Sequence, residues 1–251
     1  LSARLPMQTA PVVLITGAAK RIGRCIAKRL HAQGFSVVIH HRNSAAEATS
    51  LQQELEELRP DSTLVLQAEL AEFDRLPEMI AKTIGRFGRL DALVNNASSF
   101  FSTPIGSAQD SDWQKLFASN AWAPFFLSQA ATPHLQASNG CIVNIIDIYA
   151  ERALKEHTIY CMAKAALAMM TQSLAKELAP DVRVNGIAPG AILWPDAGKS
   201  DADKNIILAN TALQRAGKPQ EIAEVVRWLI EDAKYCTGEI VRVDGGRHLN
   251  I

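Results

Sequence analysis

The chain has 251 residues, of which 48% are hydrophobic and 21% charged, the mix of a soluble globular protein. Its 26 Lys and Arg cancel its 26 Asp and Glu, leaving no net field to gather nucleic acid or an anionic membrane surface. This composition excludes a disordered chain, a collagen-like repeat and a disulfide scaffold.

Short β-branched runs alternate with amphipathic stretches from end to end. After an expected flexible tail over 1–10, a strand is predicted at 12–16, a helix at 21–33, a strand at 36–40 and a helix at 45–58. Strand 63–67 and helix 74–87 follow, then strand 92–94 and one long helix over 112–135. Strand 141–145 leads to helix 158–179, strand 182–187 to an aperiodic stretch from 189 to about 204, and helix 219–231 to strand 239–243. Most strands are apolar throughout, as in a parallel sheet covered on both faces. The repeated units predict an α/β Rossmann-type fold: a doubly wound parallel seven-stranded sheet flanked by helices on both faces. Residues 11–251 read as a single catalytic domain, with 189–204 as a substrate loop long enough to act as a lid.

Cys25, Cys141, Cys161 and Cys236 lie far apart, with no CxxC pair and no His at zinc-ligand spacing. No metal is expected, and each cysteine reads as a small buried hydrophobe in a reducing compartment. No stretch reads as a membrane span, and the cytoplasm is the expected location.

The turn after the first strand, Thr16-Gly17-Ala18-Ala19-Lys20-Arg21-Ile22-Gly23, opens directly into a helix. Gly17 permits a tight turn, Gly23 lets the helix approach the sheet, and free N–H groups at the helix start suit a pyrophosphate. Arg21 puts a guanidinium where many such loops have glycine. At the end of the second strand an acid would mark NAD. His40-His41-Arg42-Asn43-Ser44 has none, and Arg42 with Asn43 and Ser44 offers donors to a 2′-phosphate, pointing to NADP. The same segment also reads as a polar turn in which Ser44 caps the next helix.

Tyr160 and Lys164 stand four apart on one helix face. A phenol with a pKa of about 10 is a poor acid at neutral pH, and a nearby ammonium is expected to lower that pKa and to reach the nicotinamide ribose.

Taken together, these motifs resemble the short-chain dehydrogenase/reductase family over essentially the whole chain. The residues that carry the likeness are Thr16-Gly17 with Gly23, Asn95-Asn96-Ala97, Asn120, Tyr160 with Lys164, Pro189-Gly190 and Asp244-Gly245-Gly246. The resemblance implies reversible hydride transfer to or from a nicotinamide, often in a homotetramer. It also implies dinucleotide contacts from Ile22, Asn96, Ala97, Ser98, Pro189, Gly190 and Ile192, and a relay water held by Asn120 unless that residue is structural.

Two departures narrow the reading. The family places a Ser about a dozen residues before the Tyr, whereas Ile146-Asp147-Ile148 carries no hydroxyl. An ionised carboxylate only accepts hydrogen bonds and would repel the oxyanion of a reduced ketone. It suits a C=N bond, whose nitrogen gains a proton as hydride arrives at carbon, with Asp147 and Tyr160 as a relay; the other reading is a strand-end cap. Together with Arg21 and Asn96-Ala97-Ser98-Ser99-Phe100, Asp147 resembles the pteridine reductase branch, which reduces pterins and folates with NADPH.

That resemblance implies that Phe100, with Phe101 as the adjacent candidate, stacks on a flat bicycle. Ser98 would bond pterin or phosphate, and Leu193 and Trp194 would line the substrate side. Glu69-Leu70 stand where the branch has Asp-Leu against adenine. Arg247 and His248 either reach a neighbouring subunit's site or form a solvated tail, while His31, His134 and His157 read as surface or helix-end residues. The expectation is an NADPH-dependent reductase of a pterin or folate. The alternatives are a carbonyl or 3-oxoacyl reductase of the same family and a non-enzymatic NADP sensor.

Overall fold

The computed structural model describes residues 10–193 and 200–250, so the expected tail lies outside them but for its last residue. Strand β1 (Val12–Ile15) leads to helix α1 (Arg21–His31), β2 (Ser36–His41) to α2 (Ala45–Leu58), and β3 (Thr63–Gln67) to α3 (Leu76–Phe87). β4 (Ala92–Asn95) precedes α4 (Asp110–Phe117) and α5 (Ala123–Ser138), and β5 (Cys141–Ile145) precedes α6 (Thr158–Leu178). β6 (Arg183–Pro189) is followed by α7 (Asp201–Ala209) and α8 (Pro219–Glu231), then by β7 (Ile240–Val243). All seven strands pair in parallel, in the order β3-β2-β1-β4-β5-β6-β7. The sheet expected from the sequence is the sheet observed.

Side chains alternate across a strand, and here both faces are covered. In β1, Val13 and Ile15 enter a core with Ile26 of α1, Leu51 of α2 and Val226 of α8. Val12 and Leu14 enter the opposite core with Met79 of α3, Leu127 of α5 and Leu174 of α6. Neither face leaves β1 a wet position, so its sequence is apolar throughout.

Amide side chains cross the centre of the sheet. Asn95 on β4 donates through Nδ2 to Asn144 Oδ1 on β5 at 2.8 Å, and Asn144 Nδ2 donates to Thr171 Oγ1 on α6 at 2.9 Å. On β6, Asn185 Nδ2 donates to the Cys236 carbonyl at 2.9 Å. All three asparagines are buried.

Four expectations need correction. The long helix predicted over 112–135 is α4 and α5 joined by a π-helical turn, Ala118–Trp122. Asn120 inside that turn spends its amide on Leu116 O, and Pro124 has no N–H to return to Asn120, so the turn widens. The aperiodic stretch ends early, because α7 begins at Asp201 under a capping box: Ser200 Oγ accepts from the Asp203 N–H, and Asp203 Oδ2 accepts from the Ser200 N–H. Of the cysteines only Cys141 is buried; the other three are half-buried, and all four are free. His31 does end α1 but is buried there, against Ser62 Oγ at 2.8 Å.

Arg183 opens β6 and donates to the carbonyls of Leu229 (2.7 Å), Ala233 (3.0 Å) and Ile230 (3.0 Å). These acceptors lie at the end of α8, where backbone carbonyls lack helical partners and a cation meets the negative end of the dipole. Arg183→Met is expected to reduce unfolding free energy by about 2 kcal/mol. The check is a lower urea midpoint at unchanged slope.

Candidate active site

The strand order turns back between β1 and β4, which opens a crevice at their carboxyl ends. Thr16 and Asn96 stitch its floor. Thr16 Oγ1 accepts from the backbone N–H groups of Asn96 (2.9 Å) and Ala97 (3.0 Å), while Asn96 Nδ2 donates to the carbonyls of Thr16 (2.8 Å) and Gly17 (3.1 Å). Gly17 adopts φ +63°, and a Cβ on Gly23 would lie 2.3 Å from the Gly17 carbonyl oxygen. The loop closes this tightly only with glycine at both positions.

A cavity of about 410 Å³ lies over this loop. It brings together Gly17, Arg21, Ile22, Gly23, His40, His41, Arg42, Asn43, Ser44, Glu69, Leu70, Asn96, Ala97 and Ser98. A glycine cradle that a Cβ would fill, and a buried His41 Nδ1 on the cavity wall that has no partner among the described residues, fit a dinucleotide. Lys20, Ser99 and Ser119 also line the cavity and were not foreseen. Lys20 was visible as a cation within the loop, and it pairs with Glu47 at 2.6 Å. Ser119 comes from the π-helical turn, a position that no local pattern marks.

His40 is a strut. It is buried, its Nδ1 accepts from the Gly17 N–H at 3.1 Å, and Nε2 faces the Ala68 carbonyl at 3.2 Å. Burial pushes its pKa down to about 4, so the ring is neutral and Nε2–H is the donor to Ala68. Arg42 stays on the surface, 3.7 Å from Glu69 across the same cavity.

Two further chambers, of about 200 and 210 Å³, share Arg21 with the first. Arg21 adopts φ +52°, a conformation unusual for a side chain with a Cβ and a form of backbone strain that recurs at functional sites. The first of the two is lined by Asp147, Tyr160, Lys164, Pro189, Gly190, Ile192 and Leu193. Trp194 lies outside the described residues, as does the middle of the expected substrate loop.

Asp147 leaves β5 as the cap of a 3-10 turn, Ile148–Ala150. Its Oδ1 accepts from the Tyr149 N–H at 3.0 Å, and its Oδ2 accepts from the Tyr160 hydroxyl at 2.7 Å. The two sequence readings of Asp147, cap and partner of Tyr160, are both realised by one carboxyl group. Burial raises the pKa of Asp147. Burial and the charge of Asp147 hold Tyr160 well above the usual phenol value, with the Ser98 hydroxyl acting in the opposite direction. Burial also brings Lys164 down to about 8; its Nζ donates to the Ile145 carbonyl at 2.9 Å. The expected lowering of the phenol by Lys164 is therefore reversed, because an adjacent carboxylate and the loss of water outweigh a lysine that is itself desolvated.

Asn120 does not line any of these chambers. It is buried behind them, accepting from Ser98 Oγ at 2.8 Å and donating to the Ser99 and Leu116 carbonyls at 2.9 Å, so it positions the Ser98–Ser99 segment. The two phenylalanines separate. Phe101 packs into the cluster of Leu116, Ile159 and Tyr160, whereas Phe100 lines the outer chamber, 50% exposed. Phe100 stacks on His157 at 4.7 Å and meets Tyr160 edge-on at 4.8 Å, which gives His157 a ring partner that sequence reading missed.

Tyr149, Ile207 and Arg247 complete the outer chamber. Arg247 belongs to this chain's own cleft and is no solvated tail, since the turn after β7 folds it back inside. His248 instead binds Asp244 Oδ2 through Nδ1 at 2.7 Å.

A family profile described as enoyl-(acyl carrier protein) reductase matches residues 17–248. Pteridine reductase 1 of Leishmania tarentolae is 36% identical, covering 96% of this chain and 97% of its own. A 3-oxoacyl-(acyl-carrier-protein) reductase of Staphylococcus aureus is 33% identical, covering 97% of this chain and all of its own. The chain belongs to the short-chain dehydrogenase/reductase family, and it is an oxidoreductase of that family.

Gly23→Ala is expected to weaken nicotinamide dinucleotide binding at least about tenfold, because backbone must move to admit the methyl group. Fluorescence titration with the reduced dinucleotide checks this. His40 carries a pH signature. Its folded pKa of about 4 lies below the unfolded value of about 6.5, so the unfolded chain takes up the proton first as pH falls. Stability is fully present above about pH 6.5 and declines toward pH 4, by on the order of 3 kcal/mol. Urea midpoints across that window are expected to vary less with pH in His40→Gln than in the wild type.

Proposed function

We propose that the chain is an NADPH-dependent pteridine reductase that reduces a C=N bond of a pterin or folate to the tetrahydro form. The observation that carries this reading is the buried Asp147 carboxyl group, which accepts the Tyr160 hydroxyl at 2.7 Å and so pairs the phenol with a second group able to hold the proton that a C=N nitrogen must gain. NADPH supplies the hydride. Gly17, Gly23, Asn96 and Arg21, which line the large cavity, would surround its phosphates, Arg42, Asn43 and Ser44 would hold the 2′-phosphate, and Glu69 and Leu70 would border the adenine. Lys164 would hold the ribose beside Tyr160.

As hydride reaches the carbon, the nitrogen takes the Tyr160 hydroxyl proton. Asp147, whose pKa burial raises, returns a proton to the phenol oxygen and is left as the carboxylate. The product has gained one hydride and one proton, and water re-protonates Asp147 for the next cycle. Phe100 and Arg21 orient the bicycle, which lowers the barrier through geometry. The likeness to a protein named pteridine reductase 1 supports the reading. Ketone reduction is the rival, favoured by the likeness to a 3-oxoacyl reductase.

We also propose a cytoplasmic homotetramer. Partly exposed Trp122, Phe125, Phe126, Met162 and Met169 give α5, α6 and the turn before α5 an apolar surface for self-association, and free thiols persist in a reducing compartment.

The test is the loss of nicotinamide absorbance with a dihydropterin and, in parallel, a β-ketoacyl thioester. The wild type is expected to turn over the pterin, and Asp147→Ser to lose about a hundredfold or more of kcat. Turnover of the thioester alone would return the chain to the ketone reductases. Because the acid must be protonated, kcat is expected to fall as pH rises through the raised Asp147 pKa, and Asp147→Asn is expected to remove that limb.

A further inference from the structure

The outer chamber holds two guanidinium groups, Arg21 and Arg247, against one carboxyl group, Asp147, among the described residues that line it. Arg247 is only 8% exposed. Its guanidinium donates to the Ile207 carbonyl at 2.9 Å and to the Tyr149 hydroxyl oxygen at 3.2 Å, both neutral acceptors. Among the described residues it has no ion-pair partner. Asp147 is engaged elsewhere, by the Tyr149 N–H and the Tyr160 hydroxyl. A desolvated cation whose only carboxyl neighbour on the chamber wall, Asp147, is bonded to other donors is incompletely compensated, and a cleft that keeps one on its wall suits an anion.

Tyr149 adds a second donor. Its oxygen receives the Arg247 N–H, and among the described residues its own O–H has no acceptor, which leaves that hydrogen to a ligand in the chamber. A guanidinium and a hydroxyl side by side match the oxygens of a carboxylate or phosphate.

Building on the pterin reading above, we propose that Arg247 and Tyr149 bind an anionic oxygen on the substrate's side chain, so that the preferred substrate is a pterin carrying a carboxylate or a phosphate ester. The ring-reducing groups, Asp147 and Tyr160, are shared with the inner chamber, whereas Tyr149 and Arg247 line the outer one only. The chamber thereby divides the work between reaction and recognition.

The experiment compares NADPH oxidation with three dihydropterins. One has a neutral methyl side chain, one is dihydrofolate with its carboxylates, and one is dihydroneopterin monophosphate. The readout is the ratio of kcat/KM for each anionic substrate to that for the neutral one, in the wild type, Arg247→Gln, Arg247→Lys and Tyr149→Phe. The wild-type ratio is expected to exceed unity for at least one anion, and the larger ratio identifies carboxylate or phosphate as the source. Arg247→Gln is expected to lower that ratio by about 10- to 100-fold, chiefly through KM, with part restored in Arg247→Lys. Tyr149→Phe is expected to lower it by about threefold to tenfold, and it carries the test where Arg247→Gln fails to fold. A wild-type ratio of unity, or equal losses on all three substrates, overturns the proposal while leaving the pterin reading intact. Failure of the wild type to reduce any of the three removes the pterin reading and this proposal with it.

Discussion

The knot of hydrogen bonds around Thr16 is the constraint from which the rest of the cleft follows. Where β1 and β4 part toward different connections, their ends leave backbone groups with no strand beyond to pair them, and Thr16 and Asn96 take up those groups. With Asn96 committed to the Thr16 and Gly17 carbonyls, the glycine loop has one conformation, and His40 fixes it from the other side. The loop in turn sets Arg21 at the junction of the three chambers. The large cavity and the two smaller chambers thus share one wall, held in place by Thr16, Asn96 and His40 from behind the glycine loop.

The cluster of Asp147, Tyr160 and Lys164 shows how strongly desolvation governs what a charged group does. In water, Asp147 would be ionised, Lys164 charged, and Tyr160 an inert phenol. Removed from water, each is shifted toward its neutral form, with Asp147 and Tyr160 raised and Lys164 lowered. The carboxyl and phenol share one hydrogen bond, so they titrate as a pair and behave as one proton reservoir. Such a pair keeps its protons to higher pH than a free carboxyl group and phenol would.

Much of this architecture was legible in the residues. Apolar runs between amphipathic stretches define most strands, and the helices at 45–58 and 219–231 start and stop where periodicity says they should. The glycine loop, the polar end of β2 and the Asp147–Tyr160–Lys164 spacing all converge on one cleft, because each lies at a strand end or on the helix packed beside it. What escaped has physical causes. The π-helical turn keeps the helix's apolar period, and its one local cue, Pro124, fits the first turn of an ordinary helix equally well. The start of α7 was signalled by Ser200 and Asp203 at capping-box spacing, a signal that weak apolar periodicity masked. The choice between Phe100 and Phe101 was decided by packing against Leu116 and Ile159, and the return of Arg247 by a turn after β7, both tertiary facts.

The buried asparagines bear on how the chain finds its pairing. A strand that is apolar on both faces can slide by one residue along its neighbour and still bury oil on either side, so hydrophobicity alone specifies its position poorly. Asn95, Asn144 and Asn185 remove that freedom. A slip between β4 and β5 would separate the two amides that meet at 2.8 Å and strand them in a dry interior, at a cost of several kcal/mol. The polar residues at the heart of the sheet therefore act as indexing pins: they add little to the depth of the native state but raise the energy of its near-copies, and they keep the residues at the strand ends level with one another.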